Sequence, residues 1–202
     1  MKKMVTYLLF TVSGMVMFTY CSAPASEQPA EVQTAQPAAI SQDSLVKRGA
    51  YLVTTMGCND CHSPKIFGPM GMSLDSSRLL SGHPADMPLP KYDAATAKNW
   101  LLFGPFATVA VGPWGTTFAA NLTSDSTGIG NWTEQQFIKA LREGKYKGLD
   151  NTRPIMPPMP WQGVGKATDD DLKAMFAYLK STKPVNNVVP AAILAPPPPP
   201  AK

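Results

Sequence analysis

Cys58-Asn59-Asp60-Cys61-His62 states a covalent chemistry. Two thiols three positions apart lie close enough on one turn of backbone to add across the two vinyl groups of one haem. The His directly after the second Cys then falls beneath the iron as its proximal ligand. Two other readings use the same spacing. A structural zinc site needs four ligands, usually as two such pairs, and the only other thiol, Cys21, closes an N-terminal apolar run. A thioredoxin-like redox pair follows a strand in a βαβ pattern, and no strand pattern precedes Cys58. The residues therefore predict one covalent haem c, attached at Cys58 and Cys61, with His62 as an iron ligand.

The N-terminus reads as an export signal over residues 1–21. Lys2 and Lys3 form its basic start, and Met4 to Tyr20 is an uncharged, mostly apolar run at the short limit for a spanning helix. Export also bears on Cys21, an unpaired Cys that needs an explanation in an exported protein. Its place after the apolar run and before Ser22 resembles the lipid acceptor of a bacterial lipoprotein, although Tyr20 stands where small residues are usual. Cleavage after Ala23-Pro24-Ala25, an A-x-A-like site, would instead discard Cys21, and an uncleaved anchor helix is the third reading. The expected location is the periplasmic face, on a membrane-anchored lipoprotein. Residues 22–42 are Ala, Pro, Gln, Ser and Glu with almost no large apolar side chain, so they read as a flexible tether. Residues 191–202 read as a Pro-rich tail with polyproline II character. The 18 basic and 14 acidic side chains form no basic patch that argues for nucleic acid.

Residues 43–190 suit one domain, framed by three helical patterns. In the first, from Asp43 or Ser44 to Met56, Leu45, Val46, Gly49, Leu52, Val53 and Met56 share one face. The second opens at Trp132-Thr133, where Thr133 and Gln136 have the capping-box spacing; Phe137, Ile138 and Leu141 are its apolar face and Gly144 its stop. The third is capped by Thr168, carries Asp169, Asp170 and Asp171 where the helix dipole favours carboxylates, and buries Leu172, Met175, Phe176 and Leu179 before Pro184 ends it.

With the haem motif placed just after the first helix, the chain resembles class I cytochromes c, and among them bacterial monohaem members with a long insertion. The stretches that carry the resemblance are Gly57-Cys-Asn-Asp-Cys-His-Ser-Pro-Lys65, Leu79-Leu-Ser-Gly-His-Pro84, Phe118-Ala-Ala-Asn-Leu-Thr123 and Arg153-Pro-Ile-Met-Pro-Pro-Met-Pro-Trp161. The resemblance implies a mainly α fold: a cytochrome c-like helical domain with a loop-rich insertion over residues 63–131. It implies that the first helix crosses the last at Gly49, against Phe176, Tyr178 and Leu179, and that haem attachment follows export. The stretch from Arg78 to Asn131 has no helical period and reads as loops and a short hairpin wrapping the haem.

In class I cytochromes a Met from a Pro-rich loop before the last helix supplies the sixth ligand. Met156 and Met159 are the candidates here. An extended, polyproline-like loop would point both the same way; Met159 is the better match to the family position and Met156 the second choice. Met70, Met72 and Met87 in the insertion read as packing, and His83 is a rival ligand whose Gly-His-Pro loop setting favours a surface or hydrogen-bonding role instead. The resemblance also implies that His62 donates its other ring N–H to a Pro carbonyl, with Gly68-Pro69 and then Pro64 as candidates. Trp114, Trp132 and Trp161 read either as indole donors to a propionate or as simple packing residues. Together these features predict an electron-transfer protein and not an enzyme, meeting a redox donor and an acceptor transiently. The competing classes are a peroxidase-like haem enzyme or gas sensor with an open iron position, and a fixed cytochrome subunit of a dehydrogenase or oxidase.

Overall fold

Ser41 opens the first helix. Its backbone is extended and its hydroxyl accepts from the Ser44 N–H at 3.2 Å, so α1 runs Gln42–Thr55. The structure, a computed structural model, describes residues 41–196. The export segment, Cys21, the tether as far as residue 40 and the end of the Pro-rich tail lie outside the described residues.

Gly57, in left-handed backbone at φ 69°, turns the chain from α1 into the short helix α2, Cys58–His62, which is the haem motif itself. α3 is a single turn, Ala94–Ala97. α4, Glu134–Glu143, begins with the capping box of Thr133 and Gln136 and stops at Gly144, at φ 66°. α5 spans Trp161–Val164 and α6 Asp169–Ser181, the latter capped by the Thr168 hydroxyl on the Asp171 N–H. α1 crosses α6 at Gly49. A Cβ there would lie 1.9 Å from the Ala174 carbonyl oxygen and 2.7 Å from Tyr178 Cβ, so only glycine lets the two backbones meet. The crossing, with α4 beside it, buries Leu52, Val53, Phe137, Leu141, Leu172, Met175 and Leu179 in one core.

The insertion departs from a mainly α fold. It contains an antiparallel hairpin, β1 Lys65–Gly68 with β2 Gly71–Leu74, and most of a second antiparallel sheet. That sheet joins β3 Leu102–Phe103, β4 Val109–Gly112, β5 Gly115–Phe118 and β6 Ile193–Leu194 in the order β3-β4-β5-β6. The cause is local. Val109, Val111, Thr116 and Thr117 are β-branched and buried, and they pair across β4 and β5 as Val109 with Phe118 and Val111 with Thr116. β6 falls in the stretch read as tail, and its Ile193 pairs with Thr116, so the chain after α6 returns to the insertion. Met70, at the turn of the β1–β2 hairpin, is 99% exposed, and Met72 is exposed as well, so neither is a packing residue. Among the described residues no helix is long and apolar enough to cross a membrane.

Candidate haem-binding site

The three-residue spacing of Cys58 and Cys61 on α2 puts both thiols on one helical face. Both are free and half-buried. Burial is the main influence on each: it pushes the Cys58 thiol up to about 11 and raises that of Cys61, so both are protonated near neutral pH. Lys65 folds back on the motif, its ammonium donating to the carbonyls of Asp60 and Ser63. Among the described residues no three His, Cys, Asp or Glu side chains gather as a metal-holding group.

The His62 ring is held from the insertion. Its Nδ1 donates to the Ala120 carbonyl at 2.8 Å, which fixes the tautomer and leaves Nε2 as a bare acceptor. Burial pushes the imidazole below its ordinary value, with the Ala120 bond opposing, so the ring is neutral, as an iron ligand must be. The expected acceptors are engaged elsewhere: the Pro64 carbonyl accepts from the Asp75 N–H, and Gly68-Pro69 leads into the hairpin turn. Ala120 lies two residues past β5, and a ladder of backbone bonds sets its position. The Gly82 N–H donates to the His62 carbonyl at 2.7 Å, the His83 N–H to the Ala119 carbonyl at 2.9 Å and the Leu122 N–H to the Leu80 carbonyl at 2.8 Å. Gly82 itself has φ 78°, and a Cβ on it would meet the Ala119 carbonyl oxygen at 2.5 Å. The Ser63 hydroxyl, fully buried, receives the Leu80 N–H at 2.7 Å and ties the end of the motif to the same ladder.

His83 is fully buried with both ring nitrogens engaged, Nδ1 with the Thr108 hydroxyl at 2.9 Å and Nε2 with the Met87 carbonyl at 3.4 Å. It has no nitrogen left for iron, and its ring packs on Phe118. The role of this second His is to hold the insertion together.

The Met loop is a turn instead of an extended path. The Met159 N–H points to the Met156 carbonyl at 3.4 Å across Pro157 and Pro158, whose peptide bond is cis, the arrangement of a turn with cis-Pro at its third position. Met156 and Met159 are not equivalent. Met159 packs with Cys58 against the central core, whereas Met156 is outside that cluster. The loop base is closed by the Ile155 N–H on the Gly144 carbonyl at 2.6 Å and by the Trp161 ring, which would meet a Cβ on Gly144 at 2.4 Å. Its tip is held by Thr117 of β5, whose hydroxyl donates to the Pro157 carbonyl at 2.7 Å.

These groups fit a covalently held haem: two thiols on one helical face, an imidazole with one nitrogen satisfied and the other free, and a thioether against the same core as Cys58. The Trp114 indole N–H, at the β4–β5 turn, is buried with no partner among the described residues, the kind of donor a carboxylate accepts. Ala120 and Thr117 were missed by sequence reasoning. Ala120 acts through its backbone and bears no side-chain signal; Thr117 shows only as one more β-branched residue in a strand.

Comparison with known proteins places the chain among c-type cytochromes. The gluconate 2-dehydrogenase cytochrome c subunit of Pantoea cypripedii is 32% identical over 139 residues, covering 68% of this chain and 23% of the relative. The alcohol dehydrogenase (quinone) cytochrome c subunit of Gluconobacter oxydans is 28% identical over 147 residues, 72% of this chain and 23% of the relative. The fructose dehydrogenase cytochrome subunit of Gluconobacter japonicus is 26% identical over 178 residues, 87% of this chain and 29% of the relative. The chain thus spans about a quarter of the length of the curated relatives it matches. The family described as Cytochrome c matches residues 46–183, from α1 through α6, with the motif, the insertion and the Met loop between them. The chain belongs to the cytochrome c family, whose cofactor is covalently bound haem c.

Proposed function

We propose that this chain is an electron-transfer cytochrome, carrying one electron at a single haem c outside the cytoplasm. Cys58 and Cys61 are the attachment thiols, and His62 and Met159 the axial ligands. The observation that carries the reading is the His62 Nδ1–Ala120 bond at 2.8 Å, because it presents a neutral imidazole with a free Nε2 directly beside the paired thiols. Haem iron with His and Met ligands cycles between Fe(II) and Fe(III) at a raised potential and has no vacant position for substrate. The chain's own residues then orient and shield. Ala120 fixes the His62 ring plane, the loop from Arg153 to Trp161 places Met159 against the core, and the Trp114 N–H is a donor for a propionate. On this reading the chain is not itself an enzyme. Its leader exports it, and Cys21, if lipidated, anchors it at the periplasmic face of a membrane.

A second reading, a cytochrome subunit fixed to a dehydrogenase, is favoured by the printed names of the relatives and by the exposed apolar hairpin that follows the motif. Ile66, Phe67, Met70 and Met72 all face solvent there, more apolar surface than a lone hairpin ordinarily leaves in water. A stable co-purifying redox enzyme supports the fixed subunit, and a free monomer that exchanges electrons in transient encounters supports the shuttle. The attachment itself is tested on a denaturing gel stained for haem. Wild type should keep its haem through denaturation, and Cys58→Ser with Cys61→Ser should lose it. Haem retained by that double variant would overturn the assignment of the thiols.

A further inference from the structure

Two hydrogen bonds leave neighbouring positions of one chain segment, one to His62 and one to the loop that carries Met156 and Met159. The Ala120 carbonyl takes the His62 N–H at 2.8 Å, and three residues earlier the Thr117 hydroxyl gives its proton to the Pro157 carbonyl at 2.7 Å. Pro157 lies between Met156 and Met159, at the tip of a loop whose base is fastened by Gly144, Lys145 and Trp161. Thr117 is buried and its strand is paired on both edges, by β4 and β6, so the hydroxyl is delivered from a rigid element. Its alternative acceptor, the Ala110 carbonyl across the ladder, is longer at 3.4 Å.

We propose that Thr117 is a positioning residue for the Met ligand: its hydroxyl pins the loop tip at Pro157 and so holds the Met sulfur on the iron. The insertion then clamps both axial ligands from a single segment, residues 117–120. This rests on the assignment of His62 and a loop Met as axial ligands. A hydrogen bond of ordinary worth, lost from the closed loop alone, changes the equilibrium between bound and detached Met by about tenfold.

The test is a spectrophotometric titration of the ferric holoprotein with imidazole, which takes the iron position that a detached Met vacates. Thr117→Val, which keeps the shape and removes the donor, should bind imidazole about tenfold more tightly than wild type, and Thr117→Ser should restore the wild-type affinity. Thr116→Val is the control: Thr116 is fully buried on the same strand but makes no bond to the loop. It should leave imidazole binding unchanged. Equal affinity in wild type and Thr117→Val, or an equal gain in Thr116→Val, would overturn the proposal. Thr117→Ala stands in if Thr117→Val does not retain haem. Failure of the ligand assignment is distinguishable, because the wild-type protein would then lack a Met–iron band before any imidazole is added.

Discussion

At Gly82 a methyl group has no space: φ is 78°, and the added carbon would lie 2.5 Å from the Ala119 carbonyl oxygen and 2.6 Å from Ala120 C. Gly82→Ala should therefore push residues 119–120 away from His62, costing about 1–3 kcal/mol in a denaturant titration. It should also shift the reduction potential, through a weakened His62 Nδ1 bond. Wild-type stability and potential in that variant would contradict the account of the proximal side. Side-chain patterns were legible from the sequence: the spacing of Cys58, Cys61 and His62 and the Pro-rich surroundings of Met159 single these out as the expected haem-binding residues. Ala120 was not, because a backbone carbonyl 58 residues from its partner leaves no mark in the sequence. For His83 the Gly-His-Pro setting already favours a surface or hydrogen-bonding role over an iron ligand, and the structure supplies the partners, Thr108 and Met87.

The helices were readable because their signals are local. The Thr133–Gln136 box, the Thr168 cap and the Gly144 stop each lie within a turn of the end they define. The sheet was not, since β5 finds β4 nearby but β6 only after the whole of α6, and a two-residue strand carries no periodicity. The α1–α6 crossing supports two expectations. Gly49→Ala places a carbon within 1.9 Å of the Ala174 carbonyl oxygen, so the helices must separate. The expected cost is about 1–3 kcal/mol, read from the thermal midpoint of the holoprotein; an unchanged midpoint would mean that the helices do not meet there. The same crossing is bridged by Arg48 and Asp171 at 2.9 Å. The Arg48 side chain holds the Asp171 carboxyl below its ordinary value of 3.8, with the Thr168 hydroxyl assisting and burial opposing. A depressed carboxylate stabilises the fold above its unfolded value and ceases to do so as pH falls through the folded one. Arg48→Ala should thus cost about 0.5–1 kcal/mol at neutral pH, and the difference from wild type should vanish in acid. A gap that persists at low pH would assign the loss to packing.

At the scale of the whole molecule, the helical frame and the insertion divide the work of one site. α1, α4 and α6 form the core on which Cys58 and Met159 rest. The insertion supplies the His62 acceptor and the Thr117 bond to the Met loop, so on the proposed ligand assignment it is part of the cofactor site. The relatives contain this unit within chains about four times as long. Here the β1–β2 hairpin leaves Phe67 70% exposed. The central claim is that iron in this site is held on both sides and passes electrons without binding substrate. Absorption spectra of the haem-loaded protein, oxidised and reduced, with and without carbon monoxide, test it most directly. The account predicts a weak red-edge band of Met-ligated Fe(III) that disappears in Met159→Ala and survives in Met156→Ala, and a reduced spectrum that carbon monoxide leaves unchanged. Ready binding of carbon monoxide by the wild-type protein would contradict it and point to a haem with an open iron position.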